Sequence, residues 1–246
     1  MKVGIVITMY DEHSIVLKSV IEIKRKLPDS TIILVHSDDR RETSELTTLK
    51  EAVTKYIKLP DLSKVLENQQ SLGANCIARN YSTGFKTLYS LGEQYDLIVG
   101  LTADTLITDG SSFYRRREEM LRTERSALVS QAIGQNFHAV DMDGSRIVEG
   151  RYQSPEITDF MPQLFFIDGK FAMKQKVFEN IRVTNPYASE QCLGDNLVNR
   201  LTRENKTFYN SVGKLNWNSP TFAYAYADGV KYHALHDGVP AGREIK

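Results

Sequence analysis

Apolar and polar positions alternate on two periods in the first half of the chain. Residues 3–8 form a continuous β-rich apolar run, broken by Met9-Tyr10-Asp11-Glu12-His13. Val16, Val20, Ile23 and Leu27 then recur at helical spacing. Pro28-Asp29 ends that helix, and residues 31–35 form a second buried run. Such a β-α-β unit predicts a parallel strand pair joined by a right-handed crossover. Residues 42–54 read as a second helix, 56–59 as a short strand stopped by Pro60, and 74–91 as a helix around Ala78, Tyr81, Phe85 and Leu88. Residues 95–107 begin as a strand and stop on a lone carboxylate, Asp104, between Thr102 and Thr105. Residues 111–122 predict a charged helix, whose Arg115-Arg116-Arg117-Glu118-Glu119 run reads as a solvated face, and 126–132 a strand.

Beyond residue 132 the pattern changes. Residues 137–142 and 146–149 flank Asp143-Gly144, the strongest hairpin-turn signal in the chain. A strand over 164–167, helices over 170–181 and 189–204, short strands over 207–212 and 230–235, and a loop-like tail complete the reading. The expected fold class is therefore α/β: a mixed, mostly parallel central sheet flanked by helices, with a small antiparallel hairpin in the second half.

Composition narrows the function. The 246 residues suit one large α/β domain, and no Pro/Gly/Ser-rich linker divides them. Lys plus Arg and Asp plus Glu both total 31, so net charge gives no support to nucleic-acid binding. No apolar run reaches transmembrane length, and the N-terminus lacks the pattern of a signal peptide. A cytoplasmic location is expected, with Cys76 and Cys192 as buried thiols rather than a disulfide or metal pair. The sequons at Asn80 and Asn205 then read as chance matches. No G-x-G-x-x-G opens the first helix, which disfavours a nicotinamide-dependent dehydrogenase.

Asp104 carries the first candidate chemistry. Open α/β sheets hold ligands beyond the carboxyl ends of their strands, where this carboxylate is expected; the alternative is a simple turn cap before Asp109-Gly110. Four segments bear on that choice: residues 3–12 (VGIVITMYDE), 72–80 (LGANCIARN), 96–107 (DLIVGLTADTLI) and 193–201 (LGDNLVNRL). In order and spacing they resemble the nucleotide-sugar-dependent glycosyltransferases of the GT-A fold, closest to their large inverting family. The resemblance implies one GT-A-like domain over residues 1–246. Residues 1–110 would form the nucleotide-sugar-binding half, and 111–246 the acceptor-binding half with a mobile C-terminal loop.

The same resemblance implies a UDP- or GDP-sugar donor, a carbohydrate or other hydroxyl acceptor, and a divalent cation, Mn²⁺ or Mg²⁺. Charge builds on the departing diphosphate, and hard cations with oxygen ligands can stabilise it. Thr8, Met9, Tyr10 and Glu12 would approach the nucleoside, with Ser37 and Asp38 after the second strand, where the family shows an acidic pair and this chain has His36-Ser37. Arg79 would face the phosphates, Thr102 and Asp104 would form the metal loop, and Asp104 would ligate the ion together with His233; His236 is the other late histidine. Asp195 is the implied general base, with Glu190 its competitor, and Trp217, Tyr224 and Tyr226 a candidate acceptor surface or core. Thr102 stands where the family carries the first Asp of D-x-D, which keeps open a non-catalytic nucleotide-sugar- or carbohydrate-binding domain of the same fold. A sugar-1-phosphate nucleotidyltransferase is disfavoured, since Thr8-Met9-Tyr10-Asp11-Glu12 stands in place of a G-G-x-G-T-R-L loop.

Overall fold

The computed structural model describes residues 1–37, 42–62, 72–122, 126–130, 164–185, 189–204, 206–210, 215–216, 224–227 and 230–231. β1 (Val3–Met9), α1 (His13–Lys26), β2 (Thr31–His36), α2 (Ser44–Ala52) and β3 (Lys55–Lys58) come first. α3 (Leu72–Ser90) leads to β4 (Leu97–Thr102), the two-residue β5 (Leu106–Ile107) and α4 (Ser112–Arg122). The remaining elements are β6 (Ser126–Ser130), β7 (Leu164–Asp168), α5 (Gly169–Gln175), α6 (Ser189–Arg203), β8 (Thr207–Asn210), β9 (Leu215–Asn216), β10 (Tyr224–Ala227) and β11 (Val230–Lys231).

The main sheet runs β3-β2-β1-β4-β7-β6-β8. β1 pairs in parallel with β2 and β4, and β2 with β3. β7 alone opposes both its neighbours, while β6 and β8 are parallel again. This is the expected mostly parallel α/β sheet. Every residue of β1 and β2 is buried, as in parallel strands covered on both faces. Ile5 and Ile7 join Val16, Val20 and Ile23 of α1 in one core; Val6 joins Tyr81, Phe85 and Leu88 of α3 in the other. The two cores follow from the pleat, which sends successive side chains to opposite faces. A second, antiparallel sheet, β5-β11-β10-β9, attaches the late part of the chain to the segment just after Asp104.

The register sets the functional edge. Thr8 lies opposite Val35 on one side and Thr102 on the other, so three parallel strands reach their carboxyl ends in one row.

Two boundaries differ from expectation. The helix expected over 170–181 ends at Gln175, because Lys176 and Phe178 take positive φ values of 49° and 61°. That excursion delivers Phe178 into the aromatic cluster, 5.6 Å from Phe85 and 5.4 Å from Phe165 between ring centroids. Burial of a large aromatic ring outweighs continuation of a short helix. α2 starts at Ser44 rather than Glu42 because Thr43 is its N-cap, its hydroxyl accepting from Leu46 N–H at 3.1 Å. The hairpin expected around Asp143-Gly144 lies outside the described residues.

Candidate functional site

The loop after β1 is tied down at three points on one residue. Tyr10 N–H donates to Glu12 Oε2 at 3.1 Å, and Asp11 N–H joins it at 3.0 Å. The Tyr10 carbonyl faces His36 Nε2 at 2.9 Å, and the Tyr10 hydroxyl donates to Asp61 Oδ2 at 2.9 Å. Glu12 is thus the N-cap residue of α1 with its carboxylate turned back onto the preceding loop. Ser37 N–H donates to Met9 O at 3.0 Å, and Asn80 Nδ2 of α3 donates to Ser37 Oγ at 3.0 Å. Thr8, Met9, Tyr10, Glu12 and Ser37 therefore share one end of the sheet, with α3 across from them.

Arg79 belongs to the same neighbourhood. Its Nε donates to Asn80 Oδ1 at 3.3 Å, while its buried Nη2 has no hydrogen-bond partner among the described residues. Burial pulls the guanidinium below its ordinary pKa, opposed by the charges of Cys76 and Asp61. A buried guanidinium N–H without an acceptor is costly unless a ligand completes it.

At the end of β4, Thr102 Oγ1 donates to Asp104 Oδ1, and both side chains are half-buried. Ala103 N–H donates to Thr8 O at 2.9 Å, which fastens this loop to β1. From beneath, the fully buried Ser19 of α1 accepts from Ile107 N–H at 3.0 Å and donates to Thr105 O at 3.3 Å. The wholly buried Tyr81 hydroxyl shares a hydrogen bond with Thr8, and burial foremost, then the charge of Asp104, holds its pKa well above the usual value. Asp104 thus sits beside the β1 edge that carries the Tyr10 cluster, as the strand pattern predicts.

No three of His, Cys, Asp and Glu gather into a metal cage among the described residues. One carboxylate in an oxygen-only setting nevertheless fits Mg²⁺ or Mn²⁺, which binds through one or two carboxylates while substrate phosphates and water fill the shell.

Asp195 belongs to α6. It lies six residues into α6, half-buried, its Oδ2 accepting from Thr184 Oγ1 at 2.6 Å. Leu193, Leu197 and Leu201 define the packed stripe of α6, and helical spacing turns position 195 away from it. The C-terminal end of α6 is held to α5 by Arg200 Nε on Gln175 O at 3.2 Å and by Lys174 Nζ on Glu204 at 2.8 Å. α5 follows Asp168, which pairs with Leu97 at the start of β4.

Asp61, Asn80, Tyr56 and Tyr81 complete the cluster without being legible as site residues. Each meets its partner across tens of residues of sequence, and none sits in a local motif apart from Asn80, whose neighbour Arg79 drew the attention. Asp38, Trp217, His233 and His236 lie outside the described residues.

No protein-family model matches the chain, and no curated protein matches it in sequence. Among solved structures, TarS of S. aureus is similar with a TM-score of 0.52 and 8% identity, over 94% of this chain and 36% of that chain. Glucosyl-3-phosphoglycerate synthase of M. tuberculosis is similar with a TM-score of 0.49 and 12% identity, over 89% of this chain and 73% of that one. A cytidylyltransferase from Leptospira borgpetersenii follows with a TM-score of 0.45 and 14% identity, over 87% and 77%. The fold is GT-A-like. This chain spans about a third of TarS, and at such identity the likeness concerns the fold alone.

Proposed function

We propose that the chain is a glycosyltransferase that takes a nucleoside diphosphate sugar and passes the sugar to a hydroxyl acceptor with the help of a divalent cation. One observation carries the reading. Asp104, at the carboxyl end of the central strand β4, joins the Thr8–Tyr10 edge of β1, while Arg79 on the facing helix offers a buried N–H that has no partner among the described residues. That arrangement supplies a carboxylate for a cation and a guanidinium for phosphate oxygens, next to the polar Tyr10 cluster. Bound with the donor, the cation would neutralise charge on the departing diphosphate, held by Asp104 and, from the segment beyond β11, His233.

Transfer with inversion needs a carboxylate to take the acceptor's proton. Asp195 is the residue that the sequence resemblance implies. Glu190, in the first turn of the same helix, is its competitor. Asp195→Asn is expected to slow transfer at least ~100-fold with donor affinity intact, and Glu190→Gln to slow it less than ~5-fold. Sugar transfer by both variants, measured beside donor binding, decides it; the reverse ranking gives the role to Glu190. A protein that binds donor with Mn²⁺ but transfers sugar to no acceptor, water included, would favour the binding-domain reading that Thr102 keeps open.

A further inference from the structure

Four residues from four different segments form a hydrogen-bonded chain along the carboxyl edge of the sheet. The Tyr56 hydroxyl of β3 lies 2.7 Å from His36 Nδ1, His36 Nε2 lies 2.9 Å from the Tyr10 carbonyl, and the Tyr10 hydroxyl donates to Asp61 Oδ2 at 2.9 Å. The chemistry fixes the direction of each bond. A main-chain carbonyl only accepts, so Nε2 carries a proton. In the neutral ring Nδ1 is then an acceptor, and Tyr56 must donate to it. His36 is 1% exposed and Asp61 5% exposed, and His13 packs edge-on against the His36 ring at 5.3 Å between centroids. The ring therefore has little freedom to reorient.

We propose that His36 is a positioning residue for donor binding: held in its Nε2–H tautomer by Tyr56, it fixes the Tyr10 backbone and, through the Tyr10 hydroxyl, the carboxylate of Asp61. This rests on the donor-site reading above. The sequence places His36 where an acid would be expected to contact the ligand, and the structure gives both ring nitrogens to protein atoms. The contribution of His36 is then indirect. It holds Tyr10, which links the β1 loop to Asp61, and Asp61 in turn lies near Arg79. Without the carbonyl tether Tyr10 keeps two of its three ties, and the extra ordering that the ligand must then supply subtracts from affinity.

The test is calorimetric titration with UDP and GDP in the presence of Mn²⁺, on the whole chain. Tyr56→Phe, which removes one hydroxyl and nothing else, is expected to weaken the better of the two nucleotides ~3- to 10-fold at unchanged stoichiometry. His36→Leu should weaken it at least as much, and His36→Gln, whose amide N–H can reach the Tyr10 carbonyl, should restore most of the loss. Long-range ¹⁵N–¹H spectra of the wild type should show His36 protonated at Nε2 and bare at Nδ1. If wild type binds neither nucleotide, the donor-site reading falls and the positioning role with it. If wild type binds and Tyr56→Phe and His36→Leu lower only the stoichiometry, with the affinity of the folded fraction unchanged, His36 is structural and the inference alone is overturned. Should His36→Leu misfold, Tyr56→Phe and His36→Gln still decide the matter.

Discussion

At the scale of single residues, the Thr102–Asp104 pair makes the sharpest demand on the reading. There is one carboxylate where two would hold a cation more firmly, and its neighbour is a hydroxyl that donates to it. Asp104→Asn should therefore weaken Mn²⁺-dependent nucleotide binding at least ~10-fold, in line with loss of a charged ligand, with little change in thermal stability. Thr102→Asp should tighten it; calorimetry of both variants with and without Mn²⁺ checks the pair, and equal Mn²⁺ dependence in Asp104→Asn removes that residue from the site. Asp104 was legible in the sequence because a polar stop on a buried apolar run is a local signal. Asp61 was not, because its meaning lies in the Tyr10 hydroxyl, brought near only by folding.

At the scale of elements, caps and local charges decide where helices begin. Thr43 caps α2 through Leu46 N–H and also meets His13 Nδ1 at 3.1 Å. Thr43→Ala should cost ~1 kcal/mol in urea unfolding, with Thr43→Ser close to wild type. α4 is prepared differently. Asp109 accepts from the Ser111 hydroxyl and, at 2.9 Å, from Ser111 N–H, with Arg115 nearby, and its pKa falls from the ordinary 3.8 to about 2. A carboxyl whose folded value lies below its unfolded one adds stability above the unfolded value and loses it as pH falls through the folded one. Stability should thus decline between pH 3.8 and about 2, and Asp109→Asn should make that decline shallower in urea titrations at each pH. Most elements were visible from periodicity alone. The early end of α5 was not, since residues 170–181 keep an apolar spacing compatible with a helix, and only the aromatic pocket around Phe178 draws the chain out of it.

At the scale of the whole molecule, the seam between β4 and β7 joins the parallel half of the sheet to the rest. Gly100 pairs with Phe165 across it, and a Cβ at Gly100 would lie 2.1 Å from the Phe165 ring. Gly100→Ala should destabilise by ~1–3 kcal/mol, as overpacking of a tight core does; a wild-type urea midpoint for this variant would mean that the seam yields. The parallel order of β1 to β4 was legible, because strands alternating with helices leave few other topologies. The reversal of β7 was not, for a fully buried strand carries the same apolar run in either direction. The pairing of β5 with β11 has a further consequence in time. Residues 106–107 find their partners only at 230–231, so during synthesis the ribosome must deliver more than a hundred further residues before the strand beside Asp104 is matched. The parallel half, whose contacts are nearer in sequence, can be ordered well before then. The nascent protein would thus hold the Tyr10 edge in place some time before the loop of Asp104 is braced, and a chain stalled short of Val230 would keep the first and lack the second.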